Sequence, residues 1–261
     1  MDEKVKLQQK NPDILEILQF TDCHIFSTAE GRFEGVDTAA SLARVIDRIN
    51  GSESPDLVLV TGDLVHDGVA TAYERLLARL KDLHFPVYCL PGNHDDPALM
   101  HEFINSGNVL TRKLLDSGRW RIILLDTVLL EEHSGYLSRE ELSFLDESLS
   151  GAGENHVLVV MHHHPVSVNS PWMDTMILKN SDEFFTVIDR YPKVRGIAWG
   201  HIHQEFFRVR NDVILLGTPS TCIQFKLEAQ TSATDDKPPA YRLIRLHGDG
   251  SLNTEVRWLS D

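Results

Sequence analysis

The chain has 261 residues, enough for one or two domains, and a single α/β domain spanning residues 1–261 is the simpler expectation. Lys and Arg total 25 against 39 Asp and Glu, a formal charge of −14. So acidic a chain would repel a nucleic-acid backbone or an anionic membrane unless it carried a local basic groove, and the sequence has no basic cluster. A phosphate-bearing substrate would need its positive charge from elsewhere, which hints at metal.

Residues Ile14 to Phe20 read as a first buried strand, left by Thr21-Asp22-Cys23-His24. A loop with Gly31 and Gly35 leads to a helix over Asp37 to Ile49, with Leu42, Val45, Ile46 and Ile49 on one face. Leu57 to Val60 is a second strand ending in Thr61-Gly62-Asp63, and a helix over Thr71 to Leu83 follows it. The strand Val87 to Leu90 ends in Pro91-Gly92-Asn93-His94-Asp95, where glycine is expected to supply a left-handed corner. A short helix runs from Pro97 to Ile104. Strand, polar corner and helix, three times over, argue for an α/β sheet with helices on its faces.

Further strands are expected at Trp120 to Leu125, His156 to Met161 and Gly196 to Trp199. The last two end in His162-His163-His164-Pro165 and Gly200-His201-Ile202-His203. Helices are expected at Arg139 to Leu149, with Ser138 and Glu141 spaced as a capping box, and at Asn180 to Arg190. The remainder reads as β: Glu205 to Val209, Val213 to Leu216, Tyr241 to Leu246 and Leu252 to Trp258. Asn211-Asp212 and Gly248-Asp249-Gly250 are hairpin-turn material. Residues 229–239, polar and Pro-containing, and about the first ten residues are expected to be mobile. Three cysteines without CxxC spacing suit a reducing compartment. Met1 to Lys10 lacks the apolar stretch of a secretory signal, and no apolar run approaches the roughly 18 residues of a membrane span. A soluble, cytoplasmic protein is expected.

Eight polar side chains leave these strand ends: Asp22, His24, Asp63, Asn93, His94, His162, His201 and His203. In open α/β sheets ligands gather where the carboxyl ends of strands meet. Residues i and i+2 of an extended segment face one side, so Asp22 with His24, and His201 with His203, would each aim two groups into one pocket. Eight such groups are too many for one ion, and a mixed oxygen and nitrogen set suits Mn, Fe or Zn rather than Ca. Two ions about 3.5–4 Å apart, sharing a carboxylate, make a clamp for phosphoryl displacement. Their charge of about +4 exceeds what Asp22, Asp63 and a hydroxide return, leaving a positive site for an anion. His163 is expected to face away from His162, as a supporting or solvated residue, while His164 is a rival to His162 as ligand. His66, His84, His101, His133, His156 and His247 carry no motif and read as surface or packing. Phe26 and Trp172, in loops near the site, could stack on a base or be plain core.

Asp22-Cys23-His24, Gly62-Asp63, Gly92-Asn93-His94-Asp95, His162 and Gly200-His201-Ile202-His203 together resemble the motif set of the calcineurin-like metallophosphoesterases, in order and over nearly the whole chain. The resemblance implies a four-layer α/β/β/α sandwich with a dinuclear site at one edge. One metal would take Asp22, His24, Asp63 and His203, the other Asp63, Asn93, His162 and His201. Cys23 stands where Thr or Ser is commoner, and its side chain should point away from the metals.

Three stretches, 162–165, 200–205 and 218–226, are similar more narrowly to the bacterial class III 3′,5′-cyclic-AMP phosphodiesterases. That implies a small-molecule cyclic nucleotide as partner, opened to 5′-AMP by a metal-bridging hydroxide. Two divalent ions are implied, Fe and Mn first, with Zn, Co or Mg as alternatives. The phosphate would lie against His24, Asp63, Asn93, His94 and His203. His94 would act as catalytic acid toward the leaving oxygen, and Asp95 would hold its imidazole in the useful tautomer. Discrimination among substrates is expected from 165–174, with Asn169 and Trp172, and from Thr218, Ser220, Thr221 and Gln224. Hydrolysis of glycerophosphodiesters, 2′,3′-cyclic nucleotides or monoesters on the same site stays open. So does a scaffold without turnover, although no ligand position is lost.

Overall fold

A computed structural model of the chain describes residues 4–259. Chain order gives β1 (Val5–Lys6), β2 (Ile14–Phe20), α1 (Thr38–Ser52), β3 (Leu57–Thr61), α2 (Ala70–Leu80), β4 (Val87–Leu90) and α3 (Pro97–Ile104). Next come β5 (Val109–Leu110), β6 (Leu114–Ser117), β7 (Trp120–Leu124), α4 (Arg139–Ser150), β8 (His156–Val160), α5 (Ser181–Ile188) and β9 (Val194–Trp199). Six strands follow: β10 (Phe206–Arg210), β11 (Val213–Gly217), β12 (Gln224–Phe225), β13 (Thr234–Asp235), β14 (Ala240–His247) and β15 (Leu252–Trp258).

One sheet runs β15-β14-β2-β3-β4-β5 and the other β1-β6-β7-β8-β9-β11-β10. Their central strands are parallel: β2, β3 and β4 in the first, and β7, β8, β9 and β11 in the second. Alternate residues of these strands point to opposite faces, and both faces are covered, so the runs are apolar throughout. Leu15, Ile17, Leu57 and Leu59 of the first sheet pack against Ile122, Leu124, Leu158 and Val160 of the second. Their neighbours Leu18, Phe20, Val58 and Val60 turn outward under Leu42, Val45, Ile46 and Ile49 of α1 and Tyr73 and Leu76 of α2. On the far side Ile123, Val157, Val159 and Ile197 lie under Leu145 of α4 and Phe184 and Ile188 of α5. Two sheets back to back with helices on both outer faces make the expected four-layer α/β/β/α sandwich. Burying each large aliphatic side chain contributes about 1.5–3 kcal/mol, so the inter-sheet layer is a major source of cohesion.

Local expectations meet mixed outcomes. Ser138 Oγ accepts from Glu141 N at 3.1 Å, but the Glu141 carboxylate turns away to Lys113 and to Asp126 N, so only half the capping box forms. Asn211 and Asp212 both take left-handed backbone, φ 48° and 66°, as a tight turn between β10 and β11 requires. The short β1, β5 and β6 carry too few residues for an alternation to be read. Two stretches expected to be mobile carry paired backbone: Val5 and Lys6 pair with Leu115 and Asp116, and Thr234 and Asp235 with Phe225 and Gln224. Among the described residues no helix is long and apolar enough to cross a membrane.

Candidate metal centre

The carboxyl ends of β2, β3, β4, β8 and β9 meet at one edge of the sandwich, where their corners are stitched together. Asp22 N donates to Gly62 O at 3.0 Å, His24 N to Asp63 O at 2.9 Å, and Gly200 N to His162 O at 3.1 Å. His201 N donates to the Asp22 carboxylate at 3.0 Å. Asp22, His24, Asp63, His201 and His203 all have left-handed backbone, with φ from 46° to 65°. That corrects the expectation of extended i, i+2 pairs: a left-handed corner, not the pleat, turns these side chains inward. Each such residue costs about 1–2 kcal/mol, and a cluster of them marks a place where function outweighs backbone comfort.

Gly92 corrects a second expectation, because it is not left-handed. It is there for space: a Cβ would lie 2.3 Å from Asp63 N and Oδ1 and 2.8 Å from His162 Nε2. Gly92→Ala, which removes no donor atom, is therefore expected to fold at a cost of about 1–3 kcal/mol from overpacking and yet to lose metal. Elemental analysis beside a thermal melt checks this; a full metal complement at unchanged kcat would contradict it.

The tautomers of the imidazoles follow from their outer nitrogens. His162 Nδ1 donates to Thr61 O at 2.9 Å and His203 Nδ1 to Ile223 O at 2.8 Å, so each presents Nε2 inward. His203 Nε2 then lies 3.2 Å from Asp22 Oδ1 and 3.3 Å from His24 Nε2. His162 Nε2 lies 3.3 Å from Asp63 Oδ1 and 3.2 Å from Asn93 Oδ1. Lone pairs aimed at one another across such distances repel unless a proton or a metal cation sits among them. His201 adds a buried Nε2 without a hydrogen-bond partner. Burial holds His24 and His201 well below the usual imidazole range, with neighbouring imidazoles adding to it, so both are neutral and ready to ligate. Burial would also lower His162, but the Asp63 charge, with Asp22 and the Thr61 carbonyl, raises it to about 9. A nitrogen that holds a proton so tightly among oxygens is equally placed to hold a cation. Groups able to hold a metal form at Asp22, His24 and His203, at Asp22, Asp63 and His162, at His162, His163 and His201, and at His24, His66 and His94. The donor set therefore fits metal ions, whose charge these clustered imidazoles and carboxylates could share.

His94 lies beside this cluster, its ring 4.8 Å from that of His24. Its Nδ1 donates to His66 O at 3.0 Å, so Nε2 is the atom free to face a ligand. Asp95 does not hold it. The Asp95 carboxylate accepts from Gly92 N at 2.8 Å, Leu64 N at 3.0 Å, Val65 N at 3.2 Å and the Tyr73 hydroxyl at 3.0 Å. Asp95 is thus a knot tying the β3 and β4 corners, and its catalytic assignment is corrected to a structural one. His66, read as packing, belongs to the site: its Nδ1 is 3.3 Å from His24 Nδ1 and its ring stacks on His94 at 4.8 Å. His133 likewise reaches Asn93, Nδ1 to Nδ2, at 3.4 Å.

Residues 15–205 match the family model described as calcineurin-like phosphoesterase. The chain belongs to the calcineurin-like phosphoesterase family. It is 42% identical over 243 residues to a 3′,5′-cyclic-nucleotide phosphodiesterase of Nostoc sp., covering 93% of this chain and 91% of that one. It is 39% identical over 247 residues to a 3′,5′-cyclic adenosine monophosphate phosphodiesterase of Pseudomonas aeruginosa, covering 94% and 90%. Among solved structures a dimetal phosphatase from Danio rerio shares the fold, with TM-score 0.65, 16% identity and coverage of 93% and 98%.

In this phosphoesterase the cluster opens into a cavity of about 300 Å³. His24, Asp63, Asn93, His94, His201 and His203 line one part of it, and Phe33, Trp172, Met173, Met176 and Phe225 another. Trp172 and Met173 lie in 165–174 and Phe225 in 218–226, stretches the sequence already marks, whereas Phe33 and Met176 carry no sequence signal beyond hydrophobicity. Phe26 stacks on His66 at 4.3 Å, behind the site. His163 is fully buried, Nδ1 2.7 Å from Thr127 Oγ1, and so is not solvated. His164 stacks on His201 at 5.6 Å and reaches Asp174 at 3.6 Å, leaving the Asp63 side to His162. Cys23 is buried in the α1 core, away from the cluster.

The expected substrate loop is corrected too. Thr218 Oγ1 donates to Gln19 Oε1 at 2.8 Å, and Gln224 closes on Ser220 N at 3.0 Å and Ser220 O at 2.9 Å. Ser220 Oγ donates to Asp22 O at 2.9 Å. Every one of these side chains is buried, so they brace the Asp22 corner from behind, and of this segment only Phe225 lines the cavity. Asn169 is exposed and lies outside the cavity lining.

Proposed function

We propose that this chain hydrolyses 3′,5′-cyclic AMP to 5′-AMP at a two-metal centre. The observation that carries the reading is the convergence of inward-facing imidazole and carboxylate lone pairs at one end of a cavity of about 300 Å³, large enough for a nucleotide. The likeness to cyclic-nucleotide phosphodiesterases, over more than nine-tenths of this chain, supports the choice of substrate. Asp22, His24, Asp63 and His203 would hold one ion, and Asp63, Asn93, His162 and His201 the other, with Fe or Mn suiting the mixed donors. Bound there, the ions would neutralise phosphoryl oxygens and activate water near pH 7.

The chain's own groups do the rest. Asn93 turns Oδ1 toward His162 and keeps an amide N–H for a phosphoryl oxygen. His94, held by the His66 carbonyl at Nδ1, gives its Nε2 proton to the 3′-oxygen as the P–O3′ bond breaks. Three free, buried cysteines support a reducing, cytoplasmic setting for this activity. The test is kcat/KM across 3′,5′-cyclic AMP, 2′,3′-cyclic AMP, a glycerophosphodiester and an activated aryl diester. Metal-loaded protein is expected to favour 3′,5′-cyclic AMP with 5′-AMP as sole product; preference for a substrate without the six-membered phosphate ring would replace this reading with the broader one.

A further inference from the structure

The metal-facing part of the cavity accounts for a phosphate and nothing else, because a charged clamp reads only phosphoryl oxygens. Beyond the metal-facing groups the lining holds three polar residues, Glu34, His133 and Ser232, and an apolar set from segments that hold no ligand: Phe33, then Trp172 capping the short 3₁₀ turn of Met173 and Met176, then Phe225. Two of the apolar set have partners among the site's own rings. Phe225 stacks on His203 at 4.3 Å, and Phe33 packs on His24 at 4.6 Å, so both brace ligand rings. Trp172 and Met176 pack on one side against the core under α4 and α5, and Trp172 meets the edge of Phe225 at 4.9 Å and 87°, yet both stay partly exposed on the cavity. An indole and a thioether left wet beside an anion site are costly unless a planar apolar group covers them.

The apolar turn is held in place before any ligand arrives. Trp172 N donates to Ala229 O at 3.2 Å, tying the turn to the segment beyond Phe225. Asp174 accepts from Ser167 Oγ at 2.6 Å and Val168 N at 2.9 Å, and lies 3.6 Å from His164 Nε2, close to the corner that carries His162. The apolar surface is thus fixed relative to the phosphate end, and a ligand meets it without ordering a loop.

We propose that Trp172, with Met176 beside it, is the seat of the substrate's nucleobase and the residue that separates nucleotides from simple phosphodiesters. The inference rests on the cyclic-nucleotide reading of the same cavity and adds to it where the base lies. A base stacked on Trp172 should tighten binding by about 5- to 100-fold over the same phosphate without a base.

The experiment titrates metal-loaded protein by calorimetry with 5′-AMP, ribose 5-phosphate and inorganic phosphate, and measures turnover of 3′,5′-cyclic AMP separately. Wild-type protein is expected to bind 5′-AMP at least about 5-fold more tightly than ribose 5-phosphate. Trp172→Ala should collapse that ratio toward one, Trp172→Phe should keep most of it, and both should leave inorganic phosphate affinity and metal content unchanged. Equal wild-type affinity for 5′-AMP and ribose 5-phosphate would overturn the proposal without recourse to any variant. Parallel loss of all three ligands in folded Trp172→Ala would also overturn it, by making the indole a support for the metal end. The two readings fail separately. Preference for 5′-AMP without cyclic AMP turnover keeps the base seat and removes the reaction; turnover without that preference keeps the reaction and removes the base seat.

Discussion

Asp63→Ala is expected to strip metal from both positions and to lower kcat by at least about 10³-fold. Asp63 is 3% exposed and stands between the two groups of donors. Its Oδ1 is 3.3 Å from His162 Nε2, and its Oδ2 is 3.6 Å from His24 Nε2. Asp22 also lies within reach of both sets, grouping with His24 and His203 and with Asp63 and His162. Its nearest partners are His203 and the His201 amide, so Asp22→Ala should weaken the His24–His203 position most. Asp63 Oδ1 also accepts from His94 N at 2.9 Å, so alanine releases the β4 corner as well. Asp63→Asn keeps that acceptor and removes the charge, which separates the two losses. Metal held at about a thousandfold above its Kd stabilises the folded state by roughly 4 kcal/mol per site. At about 2–4 °C per kcal/mol for a chain of this size, each ion lost should lower Tm by roughly 8–16 °C. Elemental analysis and melts with and without added metal read both effects. Two retained equivalents in Asp63→Ala would remove its bridging role, and full wild-type activity with one equivalent would remove the two-metal proposal.

His94→Ala should behave oppositely, keeping both metals and Tm while lowering kcat for cyclic AMP by about 10²–10⁴-fold. The His94 ring packs on His24 and His66, but its one nitrogen free for a ligand is Nε2, because Nδ1 is committed to the His66 carbonyl. Its backbone N–H to Asp63 survives the substitution. A ribose 3′-oxygen leaves poorly without a proton, whereas p-nitrophenolate needs none. The same variant should therefore lose much less on a p-nitrophenyl ester, and that ratio is the diagnostic quantity. Equal losses on both substrates, or loss of metal, would show His94 to be a support for the cluster rather than a proton donor.

What could be read from the residues alone was whatever depends on residue type at the end of an apolar run. β2, β3, β4, β8 and β9 are short, apolar and bounded by Gly or polar corners, so their ends, and the Asp, His and Asn side chains there, were legible without coordinates. Metal chemistry helped, because so few residue types can serve it. What tertiary structure decided was the partner of each polar group. Asp95 sits next to His94 in sequence, yet its oxygens are claimed by Leu64, Val65 and Tyr73. Thr218 resembles a substrate loop by composition, yet its hydroxyl is taken by Gln19 and its neighbour Ser220 by Asp22. His66 carries no motif, yet it packs on His24. A carboxylate or hydroxyl hydrogen-bonds to whichever donor the folded backbone brings within about 3 Å, and burial makes that choice obligatory. Sequence neighbours have no privilege in it, so the metal-binding chemistry is written along the chain while its support exists only in the fold.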